Sequence, residues 1–210
     1  ARTTAGDWVV PKVEVDITEG EAWSYLFCAM HDVPGLTECF GGRNGFIAKL
    51  DENFAKHNVH GNEPQHHYPY LYDYVGQPWK TQAIVRDYLA TKYRNAGSGG
   101  YDGDEDCGQM SAWYVFSALG FYPVAPGSGE YAIGSPLFDT AAIAIGAPYE
   151  PAVFKVIAKG QSPENRYIQS AMLNGVPLER PFLRHADIVK GGELVFTMGP
   201  LPNKTWGVGK

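Results

Sequence analysis

The spacing of apolar residues along the chain changes near residue 124. Before that point apolar residues recur every three or four positions, which is the repeat of an amphipathic helix. The clearest stretch begins at Pro78, a favourable residue for a first helical turn. The pattern predicts helices at residues 19–30, 44–56, 66–74, 78–93 and 108–118. Thr18 is expected to cap the first helix, Pro34 lies in the run that ends it, and Gly120 ends the last.

After Pro123 the pattern changes to short apolar segments separated by turn residues, which is typical of β-strands. Strands are predicted at residues 131–133, 141–145, 154–158, 167–173 and 194–198. The Asn174-Gly175 pair is a strong signal for a two-residue hairpin turn. The predicted fold class is therefore mostly α followed by β, with a helical part at residues 1–124 and a β-rich unit at residues 125–210.

Composition narrows the classes of partner. Hydrophobic residues make up 44% of the chain and charged residues 19%, which fits a globular protein and argues against disorder. The net charge of −6 leaves no basic stripe for phosphates, so we expect no nucleic-acid partner. No apolar run is long enough to cross a membrane. The 13 tyrosines and 5 tryptophans suit a sugar ligand, but they are equally typical of a well-packed core.

The three cysteines do not indicate a metal site. Cys28, Cys39 and Cys107 show no CxxC spacing, so a zinc ribbon is not expected. Buried free thiols are the favoured interpretation, and one disulfide bond remains open.

The densest polar cluster lies at residues 101–109, where four acids occur within five positions before an apolar helix. The dipole of that helix accounts for one or two of the acids. Asp104 and Asp106 could share one water molecule if the loop is extended, because alternate side chains then point the same way. A solvated, acid-capped loop is an equally good interpretation from composition alone. An EF-hand calcium loop is excluded, because the glycine precedes the acids and no glutamate follows at the required spacing.

Two further segments carry candidate chemistry. Glu19 opens a predicted helix with Trp23 four residues on, and a glutamate beside an apolar ring would have a raised pKa, as a general acid needs. A first-turn glutamate is more often only a helix cap. Asn62 and Glu63 offer the hard oxygen ligands that calcium prefers, although such residues are also ordinary in turns. The histidines around them do not match the HExxH zinc pattern.

Several motifs lie along nearly the whole chain. They are residues 19–25 (EGEAWSY), 31–36 (HDVPGL), 61–64 (GNEP), 76–82 (GQPWKTQ), 103–114 (GDEDCGQMSAWY) and 120–124 (GFYPV). In sequence and in order these motifs resemble those of family-92 glycoside hydrolases, which are exo-α-mannosidases.

The resemblance implies a calcium-dependent hydrolase that removes terminal α-linked mannose with inversion. It also implies that residues 1–124 are part of an (α/α)6 toroid, and that a β-sandwich domain and the first part of the toroid precede this chain in the whole enzyme. Glu19 then corresponds to the general acid, and Asp104 and Asp106 to the pair that activates water. The implied calcium ligands are Asn62, Glu63 and Asp106. The implied substrate contacts are Trp23, His66, His67 and Trp113.

The chain departs from the family pattern at several positions. Glu21 and Ser24 replace the usual Asn and Gln beside the acid, and Met30 stands where a proline is common. The stretch at residues 56–60 is shorter than in the family, where it carries substrate-recognising residues and another calcium ligand.

Three functions follow as expectations. The first is an α-mannosidase, periplasmic or secreted, that acts on mannan or N-glycans. The second is a calcium-dependent mannan-binding module without turnover. The third is a structural fragment with no independent activity.

Overall fold

The computed structural model describes residues 4–7, 17–97 and 99–208. The chain divides into two compact units, residues 1–66 and residues 67–210. The predicted change from helix to strand lies within the second unit, where the last long helix ends at Leu119 and the first strand begins at Phe121. Within the described residues, no helix combines the length and the apolar character needed to cross a membrane.

The described residues of the first unit form helices and turns. Its α-helices are α1 (Val33–Cys39) and α2 (Arg43–Lys56), and 3-10 turns occupy Ala22–Tyr25, Met30–Asp32 and Glu63–Gln65. Helix α2 confirms the prediction for residues 44–56. Its apolar face buries Phe46 and Leu50, and the ring of Phe46 lies 5.3 Å from Phe27 and 5.7 Å from Phe40. This aromatic group forms the core of the unit.

The helix predicted at residues 19–30 is wrong. Glu19 adopts a left-handed backbone conformation with φ +56°, and an α-helix requires negative φ. The helical structure there consists of the 3-10 turn Ala22–Tyr25 and the first residue of the 3-10 turn Met30–Asp32. Pro34 does not end a helix as predicted. It lies in the first turn of α1, where the side chain of Asp32 accepts a hydrogen bond from Gly35 N at 2.9 Å.

The second unit begins with a 3-10 turn at Tyr68–Tyr70 and the helices α3 (Leu71–Tyr74), α4 (Pro78–Thr91) and α5 (Gln109–Leu119). The predictions for α4 and α5 are confirmed, and that for residues 66–74 is confirmed in part. The fully buried ring of Trp113 on α5 is surrounded by tyrosines from the other elements. These are Tyr70, Tyr88, Tyr93 and Tyr122.

The rest of the second unit is β-rich and contains all five predicted strands. A three-stranded antiparallel sheet has the order β1 (Phe121–Tyr122), β2 (Glu130–Ile133) and β7 (Phe182–Arg184). A five-stranded sheet has the order β3 (Thr140–Ile145), β4 (Ala152–Lys159), β8 (Gly192–Gly199), β5 (Tyr167–Leu173) and β6 (Val176–Pro177). Strands β4 and β8 pair in parallel, and the other pairs of this sheet are antiparallel. A short helix, α6 (His185–Ile188), follows β7.

Alternating side chains of the central strands fill one core. Phe154, Val156 and Ala158 of β4 are buried between exposed or half-buried neighbours, and β8 repeats the alternation. Asn174 and Gly175 form the predicted hairpin between β5 and β6, with φ +50° and +79° as a type I′ turn requires. Strands β1, β6 and β7 were not predicted, because two or three residues carry too little alternation to be detected.

Two polar side chains on α4 connect that helix to the β-rich part. Buried Gln82 accepts a hydrogen bond from Ile168 N at 3.0 Å. One turn later, Arg86 donates to Pro136 O at 2.6 Å and to Ser162 O at 2.9 Å. Burial lowers the pKa of Arg86, with a further contribution from Arg166. These bonds satisfy backbone groups that would otherwise be buried without a partner.

Asp73 on α3 is a buried carboxyl group. Only 3% of its surface is exposed, and neither carboxylate oxygen makes a regular hydrogen bond among the described residues. Burial raises the pKa of Asp73 well above its usual value, and the neighbouring Thr81 hydroxyl opposes that rise only in part. Burial therefore favours the neutral form of this carboxyl in the folded protein.

We expect Asp73 to make the folded protein less stable as the pH rises. In the unfolded chain the Asp73 carboxyl loses its proton near pH 4, whereas in the folded state it keeps the proton to a higher pH. Between pH 4 and the folded-state pKa, the free energy of unfolding therefore falls by up to about 1.4 kcal/mol per pH unit. The substitution Asp73→Asn keeps the shape of the side chain but removes its titratable carboxyl group. Denaturant unfolding at pH 5 and pH 8 should show a smaller loss in this variant than in the wild type.

Asp87→Asn is the matched control, because Asp87 is exposed on α4. It should follow the wild-type pH dependence. The same loss in the Asp73 variant as in the control would contradict the assignment of a neutral buried carboxyl.

Candidate active site

Glu19 lies exposed on a turn whose backbone is held by two side chains. The Tyr25 hydroxyl donates a hydrogen bond to Thr18 O at 2.7 Å. The Asn62 amide donates to Glu19 O at 2.5 Å, although 43 residues separate the two in the chain. The structure thus brings together two of the residues singled out by sequence, Glu19 and Asn62. The Glu19 carboxylate itself stays exposed to solvent.

Trp23 lies in the 3-10 turn after Glu19 and stacks on the imidazole of His57. The ring centroids are 4.1 Å apart and the planes differ by 7°. The Lys49 ammonium lies 4.5 Å from the Trp23 ring centre, a cation–π distance. His57 Nδ1 is 2.9 Å from the Glu21 carboxylate. The short stretch at residues 56–60 therefore packs directly on the turn that follows Glu19.

Gln65 fixes that stretch from the inside of the unit. Its side chain is 1% exposed, and its Oε1 accepts from Asn58 Nδ2 at 2.8 Å and from Val59 N at 3.1 Å. Its Nε2 donates to His57 O at 3.2 Å and to Ser24 Oγ at 3.3 Å. One buried amide thus joins the short stretch to the turn that carries Trp23, which limits the movement of both.

Asn62 and Glu63 have the chemistry of calcium ligands. The Asn62 amide nitrogen is used by Glu19 O, which leaves Oδ1 as an acceptor. Glu63 is half-buried at the start of a 3-10 turn, and a carboxylate and an amide oxygen are hard donors of the kind calcium prefers. Within residues 4–7, 17–97 and 99–208, no three His, Cys, Asp or Glu side chains form a metal-binding group. The pair therefore fits part of a calcium site and needs further oxygen ligands to complete it.

In the second unit, the four acids of the loop before α5 have separate roles. Asp102 forms an ion pair with Lys92 at 2.9 Å. Glu105 accepts hydrogen bonds from Gly108 N at 2.5 Å and from Ser111 N at 3.1 Å. Hydrogen bonds from Ser111 are the main reason that the pKa of Glu105 is lowered. Glu105 thus caps the start of α5, and the remaining two acids, Asp104 and Asp106, are exposed.

The loop before α5 is not extended at Asp106, the second candidate for the base. Asp106, Cys107 and Gly108 are consecutive left-handed residues, with φ +52°, +58° and +96°. The condition for Asp104 and Asp106 to point the same way, an extended loop, is therefore not met. Left-handed non-glycine residues are disfavoured by about 1 kcal/mol each and cluster at functional sites.

The predicted aromatic and histidine contacts differ in exposure. Trp23 is half-buried, whereas His66 and His67 are 2% and 3% exposed. Trp113 is fully buried in its tyrosine cluster and stacks on Tyr93 with the planes 3° apart. A ring without exposed surface stabilises the core. Trp113 is therefore a packing residue of the described chain.

The cysteines are free thiols. Cys28 is half-buried, whereas Cys39 and Cys107 are exposed, so the expected burial is wrong for these two.

Sequence reasoning did not single out Tyr25, Gln65 or His57. Their contacts join residues 7 to 41 positions apart in the chain. Such distances carry no periodic or motif signal, so the folded structure is needed to find them.

We expect Glu105 to stabilise the start of α5. Glu105→Ala removes the acceptor for two backbone N–H groups, and the midpoint of thermal unfolding should fall by about 2–4 °C, as for the loss of a helix cap in a chain of this size. Differential scanning calorimetry measures the shift. Glu150→Ala, in the exposed turn between β3 and β4, is the control and should leave the midpoint unchanged. Equal midpoints for the two variants would exclude the capping role.

Comparison with known proteins gives one family match. Residues 1–200 match the model of the glycosyl hydrolase family 92 catalytic domain. A protein of the fungus Arthroderma benhamiae, described as an uncharacterized secreted glycosidase, is 31% identical over 193 residues. That alignment covers 91% of this chain and 25% of the relative.

Solved structures agree with the family match. An inverting mannosidase of family 92 from Bacteroides thetaiotaomicron is 39% identical, with a TM-score of 0.85 over 98% of this chain and 31% of the other. An α-mannosidase of the same family and organism, in complex with mannoimidazole, is 34% identical, with a TM-score of 0.88 over 99% of this chain and 30% of the other. The chain therefore spans about a quarter to a third of the length of these relatives.

Proposed function

The chain belongs to glycosyl hydrolase family 92, and from this membership we propose that it supplies catalytic residues to an enzyme that hydrolyses terminal α-linked mannose. The observation that carries the proposal is the exposed Glu19 carboxylate on a backbone turn held by two side chains. The similarity to an inverting mannosidase at 39% identity supports the substrate class and the stereochemistry.

In the proposed reaction, Glu19 acts as the general acid. Its proton goes to the glycosidic oxygen while the bond from C1 of mannose to that oxygen breaks. A water molecule attacks C1 from the opposite face and gives its proton to Asp104 or Asp106. Inversion needs about 6.5–9.5 Å between acid and base, which leaves room for that water.

Solvent access supports an Asp104–Asp106 base. Asp104 and Asp106 are exposed, so water reaches both. The left-handed backbone at Asp106 fixes its side chain in a direction that a regular loop would not give.

We propose Asn62, Glu63 and Asp106 as calcium ligands. Bound calcium would grip two mannose hydroxyls and favour a flattened ring close to the transition state. The hard oxygen donors of residues 62 and 63 support this assignment, and Asn62 additionally holds the Glu19 backbone.

The proposed substrate contacts are Trp23, His66 and His67. His57 covers one face of the Trp23 ring. We therefore expect the sugar to contact the edge of that ring. His66 and His67 are nearly as buried as Trp113, so the half-buried Trp23 offers a sugar the most accessible of these side chains. In the proposed fold, residues 1–124 belong to an (α/α)6 toroid. We further propose export from the cell, as the description of the fungal relative states for that protein.

Replacement of Glu19 by Gln should remove the general acid without changing its size. We expect kcat for mannobiose to fall by about 10²–10⁴-fold, because the leaving sugar then departs without a proton. The measurement is mannose release by the full-length protein. Glu38→Gln, an exposed acid on α1, is the control and should retain wild-type turnover.

An unchanged kcat in the Glu19 variant would exclude the acid role. If the wild-type protein binds mannobiose without releasing mannose, the protein is a mannan-binding module and not an enzyme.

Replacement of Asn62 by Ala should weaken calcium binding at least about tenfold, because one hard ligand is lost. Isothermal titration of the chelator-treated full-length protein with calcium measures this without a substrate. Asn44→Ala, exposed in the first turn of α2, should bind calcium as the wild type does. Equal affinities for the two variants would remove Asn62 from the ligand set.

A further inference from the structure

Tyr25 contacts the backbone directly before the proposed general acid. Its hydroxyl donates to Thr18 O at 2.7 Å, and the next carbonyl, that of Glu19, accepts from Asn62. Two consecutive carbonyls around the acid are therefore held by side chains that lie 7 and 43 residues away from them in the chain. Neither bond belongs to a helix or a strand.

The turn needs such support because of its backbone conformation. Glu19 has φ +56°, a region that L-residues other than glycine seldom adopt. A return to negative φ would turn the Glu19 side chain in a different direction. The following residue, Gly20, packs closely on the same group, since a Cβ there would lie 2.9 Å from Ser24 Oγ and 3.4 Å from Tyr25 Cε2.

The ring of Tyr25 is not buried. It is 41% exposed, so burial of apolar surface explains little of its presence at this position. Its hydroxyl makes one described hydrogen bond, and that bond goes to the turn of Glu19.

We infer that Tyr25 is a positioning residue for Glu19. The hydroxyl holds the Thr18 carbonyl, this stabilises the left-handed turn, and the turn aims the Glu19 carboxylate at the leaving oxygen. The inference rests on the proposed role of Glu19 as the acid. A displacement of about 1 Å at a reacting group is enough to lower a rate up to about 100-fold.

Tyr25→Phe in the full-length protein tests the inference, because it removes one oxygen atom and keeps the ring. The test uses substrates that differ in their leaving group. The leaving groups of mannobiose and methyl α-mannoside depart poorly without a proton, whereas the dinitrophenolate of 2,4-dinitrophenyl α-mannoside departs without one. We expect kcat/KM to fall about tenfold or more for the poor leaving groups and less than about threefold for the dinitrophenyl substrate.

An equal loss for all substrates would overturn the inference, because a general loss of structure acts on every substrate alike. Unchanged values for all substrates would also overturn it. Tyr149→Phe is the matched control. Tyr149 is 44% exposed, and its hydroxyl is 3.0 Å from His185 Nε2 in the β-rich part, so its loss should leave every substrate unaffected.

Glu19→Gln in the same series separates the two proposals. If it shows the dependence on leaving group and Tyr25→Phe does not, only the positioning role fails. If Glu19→Gln shows no dependence, the acid role fails and the positioning role fails with it.

Discussion

Both carboxylate-bearing loops depend on hydrogen bonds from side chains to backbone groups at left-handed residues. Glu19 and Asp106 have φ near +50°, where the backbone cannot continue a helix or join a sheet. Tyr25 and Asn62 provide donors for the first loop, and Glu105 provides acceptors for the start of the helix after the second. These few bonds hold backbone groups of the two loops that carry the exposed carboxylates.

The turn after Glu19 and residues 56–60 pack on each other. Glu21 contacts His57. Ser24 accepts from Gln65, and Gln65 also donates to His57 O. The stack of Trp23 on His57 completes the group. These residues are thus one packed arrangement, and a change in one alters the contacts of the others.

Regular elements could be predicted from sequence, and irregular ones could not. The alternation of β4 and the hairpin at Asn174-Gly175 are local properties, and both were predicted. The failed helix at residues 19–30 has a different cause. Its backbone follows contacts from Asn62, which is 43 residues away from Glu19, and no local pattern reports them. The candidate site shares this limit, because sequence identified its acids and Asn62 but neither the contact of Asn62 with Glu19 nor the role of Tyr25.

Structural partners divide the acids of the second loop in a way that composition cannot. Four acids in five positions are equivalent as a pattern, but Asp102 has an ion pair and Glu105 has two backbone donors. A carboxylate engaged in this way loses those bonds if it moves. Asp104 and Asp106 are exposed, which gives water the access that the proposed base needs. The bonds of Asp102 and Glu105 hold the loop and the first turn of α5 around these two proposed positions.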